Sequence, residues 1–211
     1  MTDKALSKTL KMCATEASAD AFEEPFNAVE CTALFNKMLE YAMKKHGDQK
    51  YDKGAPYVVH LIGVSNIANR FGYRVDDLEL GYEVHITCLG HDLIEDPRVK
   101  FRELKLMFGG EIAEAIYCLS DELGRDRDEV NVKTWPKILG NRIANIVKPC
   151  DRIFNFETSL ANNSHQLKRY IREHEAIKAA LCVPETKAMW DYMDGLFEKA
   201  NRRYTEAHGR Y

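Results

Sequence analysis

The stretch "DDLELGYEVHITCLGHDLIEDP" (Asp76–Pro97) decides how the chain is read. An Asp-rich start that can cap a helix leads into apolar positions at Leu80, Val84, Cys88 and Leu89, the spacing of a buried helix. His91, Asp92, Glu95 and Asp96 then crowd into little more than one further turn. Carboxylates this close repel one another, and burying them without a counter-charge is costly. If the helix continues, His91 shares a face with Glu95 and Asp92 with Asp96, and the two faces are adjacent. An imidazole beside a carboxylate suits a borderline divalent cation such as Mn²⁺, Fe²⁺, Co²⁺ or Zn²⁺, which would also relieve the repulsion.

Outward from this segment the pattern stays helical. Val29, Leu34, Phe35, Met38, Leu39 and Ala42 recur at helical spacing over 28–45. "GDQKYDKGAP" breaks that helix with Gly54 and Pro56, and "YVVHLIGVSNIANRFG" resumes one that stops at Gly72. Residues 101–123 read as two short helices joined at Gly109-Gly110, and "GRDRDEVNVK" (124–133) as a loop. Helices follow over 139–158 and 162–181, with Pro149 expected to bend or end the first near Lys148. The tail from Pro184 is again helical, and period-two alternation is nowhere sustained. The expectation is an all-α helical bundle: a loose arm over 1–25, then one domain over 26–211 that includes a C-terminal helical extension.

At 211 residues, with 45% hydrophobic and 30% charged residues, the chain can bury one well-packed core. A net charge of -3 argues against general affinity for nucleic acid or acidic membranes, while leaving room for a local basic pocket. No apolar run is long enough to span a membrane, and the N-terminus lacks the apolar core of a secretory signal. The six cysteines (13, 31, 88, 118, 150, 182) form no C-x-x-C pair, which fits reduced thiols in a cytoplasmic protein.

Two neighbouring residues cannot fill a metal's coordination shell, so further ligands must come from elsewhere in the chain. His60 sits in the apolar "APYVVHLIGV", and Asp151 inside "NIVKPCDRIFNF". Each has an ordinary alternative: a core histidine bonded to backbone for His60, an ion pair with Arg152 or another base for Asp151. Together with His91 and Asp92 they supply two imidazoles and two carboxylates, enough for an octahedral site with positions left for water and a substrate oxygen.

The order H…HD…D, extended by "HDLIED", resembles the HD metal-dependent phosphohydrolase superfamily. Within it, "KHGDQKYDKGAPYVVHLIGV", "LGHDLIEDPRVKFRELKLMFG" and "IVKPCDRIFNFETSL" are similar to the H-x-x-Q…G-x-P-Y-x-x-H, HD-x-x-ED…FG and D-[KR]-L-x-N segments of the (p)ppGpp hydrolases, the Mesh-type small enzymes and the Rel/Spo hydrolase domain. The resemblance covers about residues 34–175. It implies one divalent metal, usually manganese, on His60, His91, Asp92 and Asp151. It also implies that Glu95 and Asp96 position and deprotonate the attacking water, against the alternative of helix-end charges beside Pro97. Asn155 matches an asparagine near ribose and metal, Tyr170 falls near a nucleotide-holding tyrosine (plain packing is its alternative), and His46 is expected to make a supporting hydrogen bond.

The implied reaction removes the 3′-pyrophosphate of (p)ppGpp or a related alarmone. A different HD phosphohydrolase, acting on a nucleoside mono- or triphosphate, and a non-catalytic nucleotide binder are the competing readings. The family's Arg-Lys pair before the G-x-P-Y turn is here Tyr51-Asp52, so Lys50, Tyr51 and Lys53 are the candidates for contacting substrate at that point. The first and last segments lie outside the resemblance, and either could join copies of the chain into a homo-oligomer.

Overall fold

The computed structural model describes residues 28–74, 80–96 and 98–208; the expected arm over 1–25 and the Asp-rich cap at Asp76-Asp77 lie outside these described residues. In chain order come α1 (Ala28–His46), a minimal antiparallel hairpin of β1 (Lys50–Tyr51) and β2 (Ala55–Pro56), α2 (Val58–Arg70), α3 (Gly81–Gly90), α4 (Phe101–Phe108) and α5 (Gly110–Leu119). Then follow α6 (Arg127–Leu139), α7 (Arg142–Asn162), α8 (Leu167–Leu181) and α9 (Lys187–His208). The all-α bundle is the observed fold. No helix among the described residues is long and apolar enough to cross a membrane. Cys31, Cys88, Cys118, Cys150 and Cys182 are free thiols.

The middle helix α3 is buried on every side, because its residues are small, apolar or internally bonded. Val84 and Cys88 face a core shared with α2 and α5–α9, whose largest fully buried side chains are Trp190 and Phe156. Ile86 and Leu89 face a second core built with α1, α4 and α5 around Met38, Leu93 and Leu104. Each such side chain contributes about 1.5–3 kcal/mol by leaving water. The end of α3 therefore lies where the two cores meet, and the polar cluster is mounted there. Two glycines make the geometry possible. A Cβ on Gly63 of α2 would overlap the Phe154 ring of α7, so only glycine lets those helices meet beside His60. Gly109, at φ 91°, turns the chain between α4 and α5 in a conformation that favours glycine.

Three expectations need correction. Residues 124–133 are not all loop: α6 begins at Arg127, with the Asp126 carboxylate accepting from the Glu129 N–H. Glu129 bonds Arg125 and Lys133 on the exposed face, so the helix is held by a cap and charge pairs with few apolar contacts. Second, Pro149 neither ends nor divides α7, which runs from Arg142 to Asn162. Pro149 is itself buried, and both halves of the helix pack into the same core, which outweighs one lost backbone bond. Third, α3 stops at Gly90, and 91–96 continue as turns stitched by Leu93 N–H to the Gly90 carbonyl and Asp96 N–H to the Asp92 carbonyl. The regular helix expected through His91 and Glu95 is therefore replaced by turns, while Asp92 and Asp96 stay one α-type hydrogen bond apart.

Candidate metal centre

Three segments deliver the central side chains. His60 stands in the first turn of α2, His91 and Asp92 follow α3, and Asp151 lies in the middle of α7. His60 Nε2 is 3.2 Å from His91 Nε2, 3.4 Å from Asp92 Oδ2 and 3.4 Å from Asp151 Oδ1. His91 Nε2 is 3.0 Å from Asp92 Oδ2 and 3.6 Å from Asp151 Oδ1. The tightest trio of candidate ligands among the described residues is His60, His91 and Asp92, and Asp151 closes a further side.

The arrangement around this core fits a cation. His91 Nδ1 lies 2.8 Å from the Cys88 carbonyl, which can only accept, so Nδ1 carries the ring proton and a neutral ring would aim the Nε2 lone pair at the cluster. Tyr57 donates its hydroxyl to Asp92 Oδ2 at 2.6 Å, and Asn155 Nδ2 donates to Asp151 Oδ1 at 2.5 Å, orienting both carboxylates. Burial alone would raise the Asp92 carboxyl, yet the His91 and His60 rings hold it well below the usual carboxylate range. Asp151 feels the same opposition: burial raises it, while His91 and Lys148 bring it down to about 2. Two ionised carboxylates facing two imidazole Nε2 atoms form a donor set suited to a borderline divalent ion.

Glu95 and Asp96 point outward from this core. Glu95 Oε2 accepts the Asp121 N–H at 3.3 Å, and burial, then the Asp121 charge, pushes its carboxyl up. Asp96 Oδ2 accepts from Gln49 Nε2 at 2.5 Å, and Gln49 Oε1 lies 2.8 Å from His46 Nδ1. His46 thus makes the supporting bond expected of it, stacked 4.4 Å from the Tyr57 ring.

The substrate candidates divide. Tyr51 stacks on His60 at 4.8 Å and donates its hydroxyl to Asn155 Oδ1 at 2.8 Å. Lys50 and Lys53 are exposed on the hairpin, and Asp52 accepts from Asn162 Nδ2 at 2.6 Å. Tyr170 is buried beside a narrow cavity of about 70 Å³ that reaches Asp151 and Asn155. The Arg169 and Arg152 guanidiniums lie 5.1 and 5.3 Å from its ring centre. Residue-level reading of the chain gave no role to Tyr57, Lys148, Arg169 or Asp121. Tyr57 was visible as the tyrosine of Gly54-Ala55-Pro56-Tyr57 and Lys148 as the cation three residues before Asp151; nothing local marks the other two.

The helical fold and the convergence of H…HD…D side chains define the HD-domain class of hydrolases. Within it, the chain is 30% identical over 129 residues to the zebrafish (Danio rerio) guanosine-3′,5′-bis(diphosphate) 3′-pyrophosphohydrolase MESH1, across 59% of this chain and 68% of that protein. The chain belongs to that MESH1-type family. It is also 32% identical over 151 residues to the guanosine-3′,5′-bis(diphosphate) 3′-pyrophosphohydrolase of Aquifex aeolicus (strain VF5), covering 69% of this chain but 20% of that longer protein. A solved structure of a metazoan SpoT ortholog superposes with a TM-score of 0.62 at 21% identity, over 79% of this chain and 95% of that one, which supports the fold. No family model matches the chain.

Proposed function

We propose that this chain hydrolyses the 3′-pyrophosphate of guanosine-3′,5′-bis(diphosphate) or a closely related nucleotide, giving the nucleoside 5′-diphosphate and pyrophosphate. The observation that carries the reading is the meeting of His60, His91, Asp92 and Asp151 within 3.0–3.6 Å. The names of the relatives supply the substrate. A divalent cation, manganese in this reading, would be held by those four residues and would supply Lewis-acid polarisation of the phosphate and acidification of water.

The remaining work falls to the chain itself. Glu95, with Oε2 bonded to the Asp121 N–H, keeps Oε1 to take a proton from the attacking water, and its upward-shifted carboxyl suits that task. Asp96, fixed by Gln49, holds the charge beside it. Tyr51 and Asn155 are bonded to each other over His60 and would flank the ribose. Lys148, Arg169 and Tyr170 line the adjoining cavity and offer positive charge and a phenol to phosphate oxygens. Lys50 and Lys53 are within reach only of the outer part of a bound nucleotide, because they are exposed on the hairpin.

The test is turnover of a nucleotide panel in Mn²⁺ with product identification. Pyrophosphate released from guanosine-3′,5′-bis(diphosphate) is the expected result. Phosphate or triphosphate from ordinary nucleotides would transfer the chain to the wider HD class, and tight binding without turnover would make it a binder.

A further inference from the structure

A second cavity, of about 390 Å³, opens between α1, α2 and α3, bordered by Phe35, Asn36, Ser65, Asn66, Asn69 and His85. It is turned away from the metal cluster. Ser65 follows His60 by five residues on α2, a rotation of roughly 140° about the helix axis. His85 lies in the middle of α3, whereas His91 follows the last residue of that helix, Gly90.

The hydrogen-bond chain at its floor has one consistent reading. His85 Nε2 lies 2.8 Å from the Tyr73 carbonyl, which can only accept, so Nε2 carries the ring proton. Nδ1 is then a bare lone pair, and Ser65 Oγ, 2.7 Å away, donates its proton to it. His85 is 4% exposed, and burial holds its pKa below the ordinary histidine value, which keeps the ring neutral. A hydroxyl donating to a neutral imidazole whose other nitrogen is fixed from behind has the parts of an activated nucleophile. Phe35 meets the His85 ring edge-on, with the ring centroids 6.5 Å apart.

The rim adds the remaining element. Backbone N–H groups around Ser65 are spent inside α2, so charge developing on a carbonyl oxygen there would need side-chain donors. Asn36 and Asn69 border the cavity and are exposed, so either carboxamide is free to turn toward a bound oxygen. Asn69 stands four residues after Ser65, on the same face of the helix.

We propose that Ser65 and His85 form a second catalytic pair, independent of the metal cluster, that cleaves small carboxylic esters. Ser65 Oγ bonds to the ester carbonyl carbon while its proton passes to His85 Nδ1, and the carbonyl oxygen becomes an oxyanion held by the Asn69 and Asn36 amides. Collapse breaks the bond to the alcohol, which leaves with the proton from Nδ1. Water, deprotonated by the same nitrogen, then releases the acyl group as a carboxylic acid and restores Ser65.

The full chain is treated with a fluorophosphonate probe and, separately, with p-nitrophenyl acetate in the presence of a chelator. The expected result is a single adduct mapped to Ser65, and ester turnover that survives the chelator. In Ser65→Ala both disappear, and in His85→Gln both fall by at least about a hundredfold. No adduct at Ser65, turnover undiminished in Ser65→Ala, or turnover abolished by the chelator overturns the proposal. Ser65→Cys guards against misfolding as the cause of loss: iodoacetamide should alkylate position 65 much faster in this variant than after the further change His85→Gln. Equal rates would also overturn the pairing.

Discussion

Two buried histidine–carboxylate groups in this molecule use the same residue types and reach opposite results. At the junction of α8 and α9, His174 Nε2 lies 2.8 Å from Asp194 Oδ1, and Lys178 Nζ lies 2.6 Å from Asp194 Oδ2. One carboxylate meets two donors, its outer edge stays in water, and the His174 ring stacks on Phe197 at 4.8 Å. At the candidate metal centre, two imidazole nitrogens meet each other as well as two carboxylates, with Lys148 3.7 Å from Asp151. The first group balances without help. The second gathers two carboxylates and two imidazole nitrogens, four potential ligands of one divalent ion, so its pairing can be exchanged for a bound cation where the first cannot.

Removing a carboxylate is the strongest way to break this contrast. Asp92→Ala should abolish stoichiometric Mn²⁺ binding and lower turnover by more than the roughly 10–100-fold that outer partners of a metal site cost. Thermal unfolding without metal should also move to lower temperature, because the His91 and His60 rings that hold the Asp92 carboxyl low, and the buried Tyr57 hydroxyl, lose their partner. Equilibrium dialysis and kcat measure the first effect and calorimetry the second; full activity in this variant would refute the ligand assignment.

A gentler change sharpens the comparison. Tyr57→Phe removes one hydroxyl that bonds Asp92 at 2.6 Å and leaves the ring stacked against His46. Turnover or Mn²⁺ affinity should fall by roughly 10–100-fold, within the range for outer partners of a metal site. An unchanged Mn²⁺ titration together with unchanged kcat would show that Asp92 needs no such support.

The contrast also explains what the sequence made legible. His60, His91, Asp92 and Asp151 stood out because each interrupts an apolar helical pattern, and burying such a group demands a reason. The helices with a wide apolar face were readable for the same cause. α6 was not, since it is held by Asp126 capping and Glu129 pairing on a polar surface, and those same residues compose ordinary loops. Pro149 misled because its effect on α7 depends on neighbours supplied by other helices. The turn after Gly90 was hidden too: a Cβ there would press on Ile116 and Met38, a constraint that exists only once α1 and α5 are in place. Arg169 and Asp121 reach the site through the meeting of α7, α8 and the segment after α5, which no local spacing records.

The smallest effect belongs to the balanced group and depends on pH. Burial raises the Asp194 carboxyl, but its bonds from Lys178 and His174 hold it below the ordinary value in the folded chain. A carboxylate depressed by folding stabilises the native state above its unfolded pKa of about 3.9, and that increment is lost as pH falls through the lower folded value. Asp194 is 36% exposed, so solvent screening limits the contribution to below about 1 kcal/mol. Urea midpoints of the native chain and of Asp194→Asn should therefore differ slightly at pH 6 and converge as the pH drops below about 3.9. Turnover at pH 7 should be the same for both. A gap that widens in acid would mean that Asp194 is not the charged partner at this junction, and a loss of turnover would mean that the α8–α9 pair also serves the metal site.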